Sequence, residues 1–193
     1  MELITSYLVP ILIGIGLSAA VGFRIFVPFL VMGLIQRFGI YSLPAGFEWL
    51  SQNEALLAFG IATIIEIIAY FVPWLDSALD LITTPLAMIG GTIMMGSSLY
   101  ELDPLWKWSL AILAGGSTAG IIKSGNTGLR LLSTATTGGL GNFIIAVGEL
   151  LLSILFSLLS AIIPFIIFIA VLICLYFFGI KKYFTSKENK SLT

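Results

Sequence analysis

The chain reads as an all-α membrane protein with about six transmembrane helices, and three observations lead there. Hydrophobic residues fill 59% of the 193 positions and charged residues 10%, against roughly 45–50% and 25% in soluble domains. The mean hydropathy is +1.10. The apolar residues also come in runs of the length a bilayer selects, since a hydrocarbon core about 30 Å thick takes about 20 helical residues at 1.5 Å each.

That ruler places spans at Thr5–Phe26, Leu56–Trp74, Leu79–Leu99, Leu105–Lys123, Phe143–Leu159 and Ile162–Ile180. The opening Met-Glu-Leu-Ile-Thr-Ser lacks the positive flank of a secretory signal, so the first span is expected to be retained. Apolar character runs on past it to Leu34, across Gly22 and Pro28, which predicts an interruption near residues 22–28. Pro85 and the Gly90-Gly91 pair mark the third span. A second interruption is expected after the fourth span, where "KSGNTGLR" (123–130) and "STATTGGLGN" (133–142) bring hydroxyls, glycines and cations. Ser157, Ser160 and Pro164 mark the join between the last two spans, with one long kinked helix as the alternative. Residues 1–183 form a single transmembrane domain, and 184–193 a short polar tail.

Lysine and arginine orient the spans. With both termini cytoplasmic, Lys123, Arg130, Lys181, Lys182, Lys187 and Lys190 lie inside, and only Arg37 and Lys107 outside. A shift of 99 positions lays Gly16, Ser18, Ala20 and Arg24 on Gly115, Ser117, Ala119 and Lys123. Three spans per half then suggests two inverted repeats, 1–100 and 101–183, with broken helices, as in many secondary transporters.

Composition also excludes chemistry. There is no histidine and one cysteine, Cys174, which removes histidine-based catalytic sets, histidine metal centres and an intramolecular disulfide. No phosphate-binding glycine–lysine loop is present. The net charge of -1 argues against nucleic acid. No enzyme activity, cofactor or metal is expected.

What remains is a small set of ionisable groups inside hydrocarbon: Arg24, Glu66, Arg130 and Glu149. A charge at the centre of a span costs about 2.5–3.5 kcal/mol on insertion scales, so such groups pair, line a wet cavity or titrate. Arg24 or Arg130 can contact an anion, and Glu66 and Glu149 can bind a cation or carry a proton. The competing reading is an Arg–Glu pair that only locks helices. If Gly138, Gly139 and Gly141 turn the backbone at membrane depth, the helix starting near Asn142 presents its positive end to an anion. Thr134, Thr136, Thr137 and Asn142 would then donate. The plainer alternative is a cytoplasmic loop capped by Asn142. Asp76 and Asp80 share a helix face, where a cation between them or simple solvation is expected. The small-residue faces around Gly14-Ile-Gly16 and Gly115-Gly116 are expected to serve helix packing. Trp49, Trp74, Trp106 and Trp108 fall at span ends, as interface anchors do.

At "GLSAAVGFRIFVP", "LDSALDLITTPLA" and "STATTGGLGN" the chain resembles the bacterial membrane-protein family catalogued as domain of unknown function 4126, over approximately Ile11 to Leu159. The resemblance implies a multi-span bacterial membrane protein and assigns no activity or site residue. The expectation from the residues is a small inner-membrane transporter or channel, bacterial as the resemblance implies. It would move a small solute or ion through a central polar site and pair as a homodimer. A flippase or scramblase for phosphate headgroups and a non-transporting scaffold are the alternatives.

Overall fold

The computed structural model describes residues 7–40, 43–69 and 73–177, and its helices are α1 (Val9–Phe23), α2 (Val27–Arg37), a 3-10 segment (Ala45–Ser51), α3 (Asn53–Ala69), α4 (Pro73–Ser98), α5 (Pro104–Leu110), a π segment (Ala111–Gly116), α6 (Ser117–Thr137), α7 (Asn142–Ile162) and α8 (Pro164–Leu175). The described residues contain no strand. The expected break between Gly22 and Pro28 is present. α1 ends at Arg24, whose backbone is extended (φ -141°, ψ 127°). Pro28 falls in the first turn of α2, where a missing N–H removes no helical bond.

The chain does not continue forward after this break; it doubles back. Val21 of α1 and the ring of Phe29 of α2 both face Gly90, Gly33 lies against Leu50, and Gly46 of the same 3-10 segment packs on Ser97. Ser97 and Ser98 sit at the level where α1 begins, since Gly14 packs on Met95 and Ser98. α1 and α2 therefore form a helical hairpin with its tip at residues 24–26. This corrects the first predicted span, which treats 5–26 as one crossing.

α4 runs antiparallel to α1 along a seam of small residues. The Ser18 hydroxyl donates to the carbonyls of Gly14 and Gly91, at 2.8 Å each. α6 runs antiparallel to α4 in turn, with Met95 against Gly115, Gly91 against Ala119 and Met88 against Gly120. The small-residue faces thus serve packing within the chain, which leaves them unavailable as a dimer face. α1 and α6 consequently point the same way. The inverted pairing of residues 16–24 with 115–123 requires opposite directions, so the packing corrects it.

α4 continues through Pro85, and α5, the π segment and α6 form a single rod from Pro104 to Thr137. The interruption expected after Lys123 is absent; the helix ends at Gly138, a left-handed cap (φ 64°), followed by Gly139 (φ 93°). At Ile163 (φ -136°, ψ 68°) the chain is redirected from α7 to α8. Val171 then joins Phe156 in one cluster with Ala19, Ala20, Phe23 and Ile122.

On α3 and α7, burial is inside-out relative to a water-soluble bundle. α7 buries Glu149, Ser153, Ser157 and Ser160 and exposes Ile144, Leu151, Leu155 and Ile162. α3 buries Thr63 and Glu66 and exposes Leu57, Ile61, Ile64, Ile65 and Ile68. Among the described residues α7 is by itself long and apolar enough to cross a membrane, and the 3-10 segment with α3, bent by 73°, passes as a broken span. Six individual spans are not what these helices give, because α1 and α2 are short and α6 carries a polar stripe.

The α4–π contact is a close backbone approach. A methyl added at Gly115 would lie 2.6 Å from the Gly91 carbonyl oxygen. Gly115→Ala is expected to destabilise the protein by about 1–3 kcal/mol. Gly128→Ala, where nothing lies within 4 Å, is expected to stabilise by up to about 1 kcal/mol through helix propensity. Denaturant titration of the two variants in detergent micelles checks the opposite signs.

Candidate functional site

The tip of the α1–α2 hairpin leaves two amides outside any helical ladder, those of Ile25 and Phe26. α3 supplies their acceptor. One carboxylate oxygen of Glu66 accepts from Ile25 N–H (2.9 Å) and the other from Phe26 N–H (3.1 Å). The carboxylate thus holds the positive end of α2, where dipole and unsatisfied donors favour a negative charge. The charges of Arg24 and Lys123 also act on it.

Beside this lies a second ionic group. Arg24, carried on the extended residue of the tip, donates from Nη2 to the Ala146 carbonyl (2.9 Å), and its Nε lies 3.7 Å from Oε2 of Glu149. Arg130 grips the same carboxylate as a fork: Nε donates to Oε1 at 3.1 Å and Nη2 donates to Oε2. Arg24, Arg130 and Glu149 are each no more than 3% exposed. Such forked, charge-assisted bonds are about twice as strong as neutral ones. On α6, Lys123, Asn126 and Arg130 stand at i, i+3 and i+7, forming one buried stripe. Asn126 Nδ2 donates to the Gly22 carbonyl at 3.4 Å.

Four of the predicted residues, Arg24, Glu66, Arg130 and Glu149, are therefore brought to one buried region around the hairpin tip. The sequence reading counts Lys123, at the end of the fourth span, and Arg130 among the inner-side charges; both are buried in α6 and say nothing about topology. The other four predicted residues lie at the α6–α7 turn. Thr136 and Thr137 donate to the carbonyls of Leu132 (2.9 Å) and Ser133 (2.7 Å), and Gly141 N–H donates to Thr137 Oγ1 (3.0 Å). Asn142 reaches back to Thr134 Oγ1 (3.0 Å). The preceding residue, Gly141, holds the N-cap position expected of Asn142. Thr134, Thr136 and Thr137 are exposed, so this stretch forms a helix–turn–helix connection whose hydroxyls bond their own backbone. It does not join the ionic region.

The sequence reading missed the Ile25 and Phe26 amides, Lys123 and Asn126. The 123/126/130 spacing was the available signal for the last two, hidden by the interruption expected after the fourth span. The side chains of Asp76 and Asp80 lie outside the described residues, as does the 184–193 tail. Two described cavities, about 340 and 500 Å³, lie at the opposite end, near the start of α1 and the end of α4; Tyr100 lines both. Among the described residues, no group of three or more acidic or cysteine side chains is placed to hold a metal.

An all-helical bundle with membrane-capable helices and an ionic interior defines the class. The chain belongs to the family described as domain of unknown function (DUF4126), whose model matches residues 11–182. The match extends past the three motifs through α8, further than the 11–159 resemblance reaches. No curated protein and no solved structure matches the chain.

Removing one partner of a buried ion pair leaves the other charge uncompensated and costs about 3–5 kcal/mol. Glu149→Gln is expected to fall in that range. Replacing Arg130 and Glu149 together by Met and Leu is expected to recover at least half of the loss. Unfolding of wild type and both variants in micelles checks this.

Proposed function

We propose that the protein is a bacterial inner-membrane transporter whose passage for a small solute or ion runs by the tip of the α1–α2 hairpin. In this reading α3, α4, the α5–α6 rod, α7 and α8 cross the membrane, and the hairpin enters from one face. The observation that carries it is the pairing of a broken helix with buried ionisable groups inside a bundle whose outer faces are apolar. Non-helical backbone at membrane depth is tolerated where protein or a cavity surrounds it, and transporters use such breaks to hold ions and anionic groups. Trp49, Trp106 and Trp108, all partly or largely exposed, cluster with Lys107 at the end where α1 begins, in keeping with one membrane–water interface.

A second reading, a non-transporting scaffold, is favoured by one observation: Arg24, Arg130, Glu66 and Glu149 are buried and bonded to one another or to backbone. The flippase alternative lacks such support, because the hydroxyls of its expected headgroup groove are engaged in their own helix.

In proteoliposomes, flux of protons, chloride and formate is the measurement that separates them. The transporter reading expects flux of at least one probe above protein-free vesicles. Glu66→Gln and Glu149→Gln are expected to lower it at least tenfold while helical content and monodispersity are kept. Wild-type flux in both variants removes the carboxylates from the mechanism, and no flux of any probe favours the scaffold.

A further inference from the structure

Glu66 is a ligand as well as a lining residue. Its two oxygens are divided one each between adjacent amides at the start of an eleven-residue helix, the geometry in which a free carboxylate binds a helix N-terminus. One turn earlier on the same inward face of α3, Thr63 is 7% exposed and its hydroxyl makes no hydrogen bond. A helical threonine can bond a carbonyl of the preceding turn; this buried hydroxyl, on the same helix face as Glu66 three residues on, does not, and is a donor without its acceptor. Thr83 of α4 is equally buried, and its hydroxyl likewise makes no bond. The antiparallel register that sets Ser18 on Gly91 places Thr83 about one helical turn beyond the end of α1. A solute carboxylate at the two amides would meet the same charges of Arg24 and Lys123 that act on Glu66.

We infer that the Ile25–Phe26 amides, with the Thr63 hydroxyl, form a binding site for a small monocarboxylate solute, and that Glu66 is a tethered occupant which the solute displaces. This rests on the transport reading and names its substrate class. The tether makes occupancy competitive: a solute binds only the fraction of molecules in which Glu66 has swung away, so its apparent affinity falls by that fraction. Two amide donors and a hydroxyl also select the flat, two-oxygen shape of a carboxylate over a spherical halide.

Formate is the probe. Titrated calorimetrically into the purified full-length protein, it is expected to bind Glu66→Ala at least tenfold more tightly than wild type. Adding Thr63→Val to that variant is expected to weaken binding several-fold. Glu66→Gln, which keeps one acceptor oxygen without the charge, is expected to fall between wild type and Glu66→Ala, and it serves alone if the alanine variant does not fold. A folded Glu66→Ala or Glu66→Gln protein that binds formate no better than wild type overturns the inference. Chloride binding as tight as formate overturns the carboxylate assignment. Formate binding in the expected order without flux of formate, chloride or protons in wild-type vesicles supports the site and removes the transport reading. Flux that depends on Glu66 without formate binding removes the inference and keeps transport.

Discussion

Two backbone amides at the tip of a helical hairpin, buried away from water, set the terms for the rest of this molecule. An unsatisfied amide in hydrocarbon costs several kcal/mol, so α1 can break at Arg24 only because another element brings an acceptor to Ile25 and Phe26. That acceptor is Glu66, and delivering it requires α3 to turn a polar face inward while its isoleucines face out. The carboxylate would itself be intolerable there without the amides, the start of α2 and nearby cations. Each part stabilises what would otherwise be the most expensive feature of the other.

The same logic governs the neighbouring group. Glu149 answers two guanidinium groups from separate elements, one on the hairpin tip and one on α6, and so ties α1, α6 and α7 at a single point. Close approach makes this geometry possible: the α1–α4–α6 seam of Gly14, Ser18, Gly91, Gly115 and Gly22 lets backbones come near enough for Asn126 and Arg24 to reach carbonyls on facing helices. In a membrane, where hydrocarbon offers helices no hydrophobic reason to associate, packing of small residues and interhelical polar bonds supply the attraction.

Much of this was legible in sequence, and the gaps have physical causes. The helical class, the break near Pro28 and the burial of Arg24, Glu66, Arg130 and Glu149 follow from hydropathy and from the high cost of isolated charges. The direction taken after the break does not, since Pro28 and Gly22 announce an interruption without saying whether the chain proceeds or returns. That ambiguity undid the inverted repeat, whose letters match while the helices run in parallel. The glycine- and hydroxyl-bearing stretch after Lys123 misled in the opposite sense, since α6 runs unbroken through Gly125 and Gly128. Inside a packed bundle, tertiary contacts override their weak helical propensity, and the polar spacing of three and four residues was the better guide. The 133–142 hydroxyls looked like site residues because a short side-chain oxygen can serve either a ligand or its own helix.

One local irregularity sets the outer shape of the rod between Pro104 and Thr137. A wider turn at Ala111–Gly116 accommodates more residues per revolution than the helix on either side, so the angular phase of the α5 side chains slips relative to that of α6. Gly115, Gly116 and Gly120 face α4, while Leu105 and Trp106 before the slip fan outward. A straight α-helix would hold one compass bearing along its whole length; this one changes heading once, and so turns Leu105 and Trp106 to the surroundings without loosening its grip on the bundle.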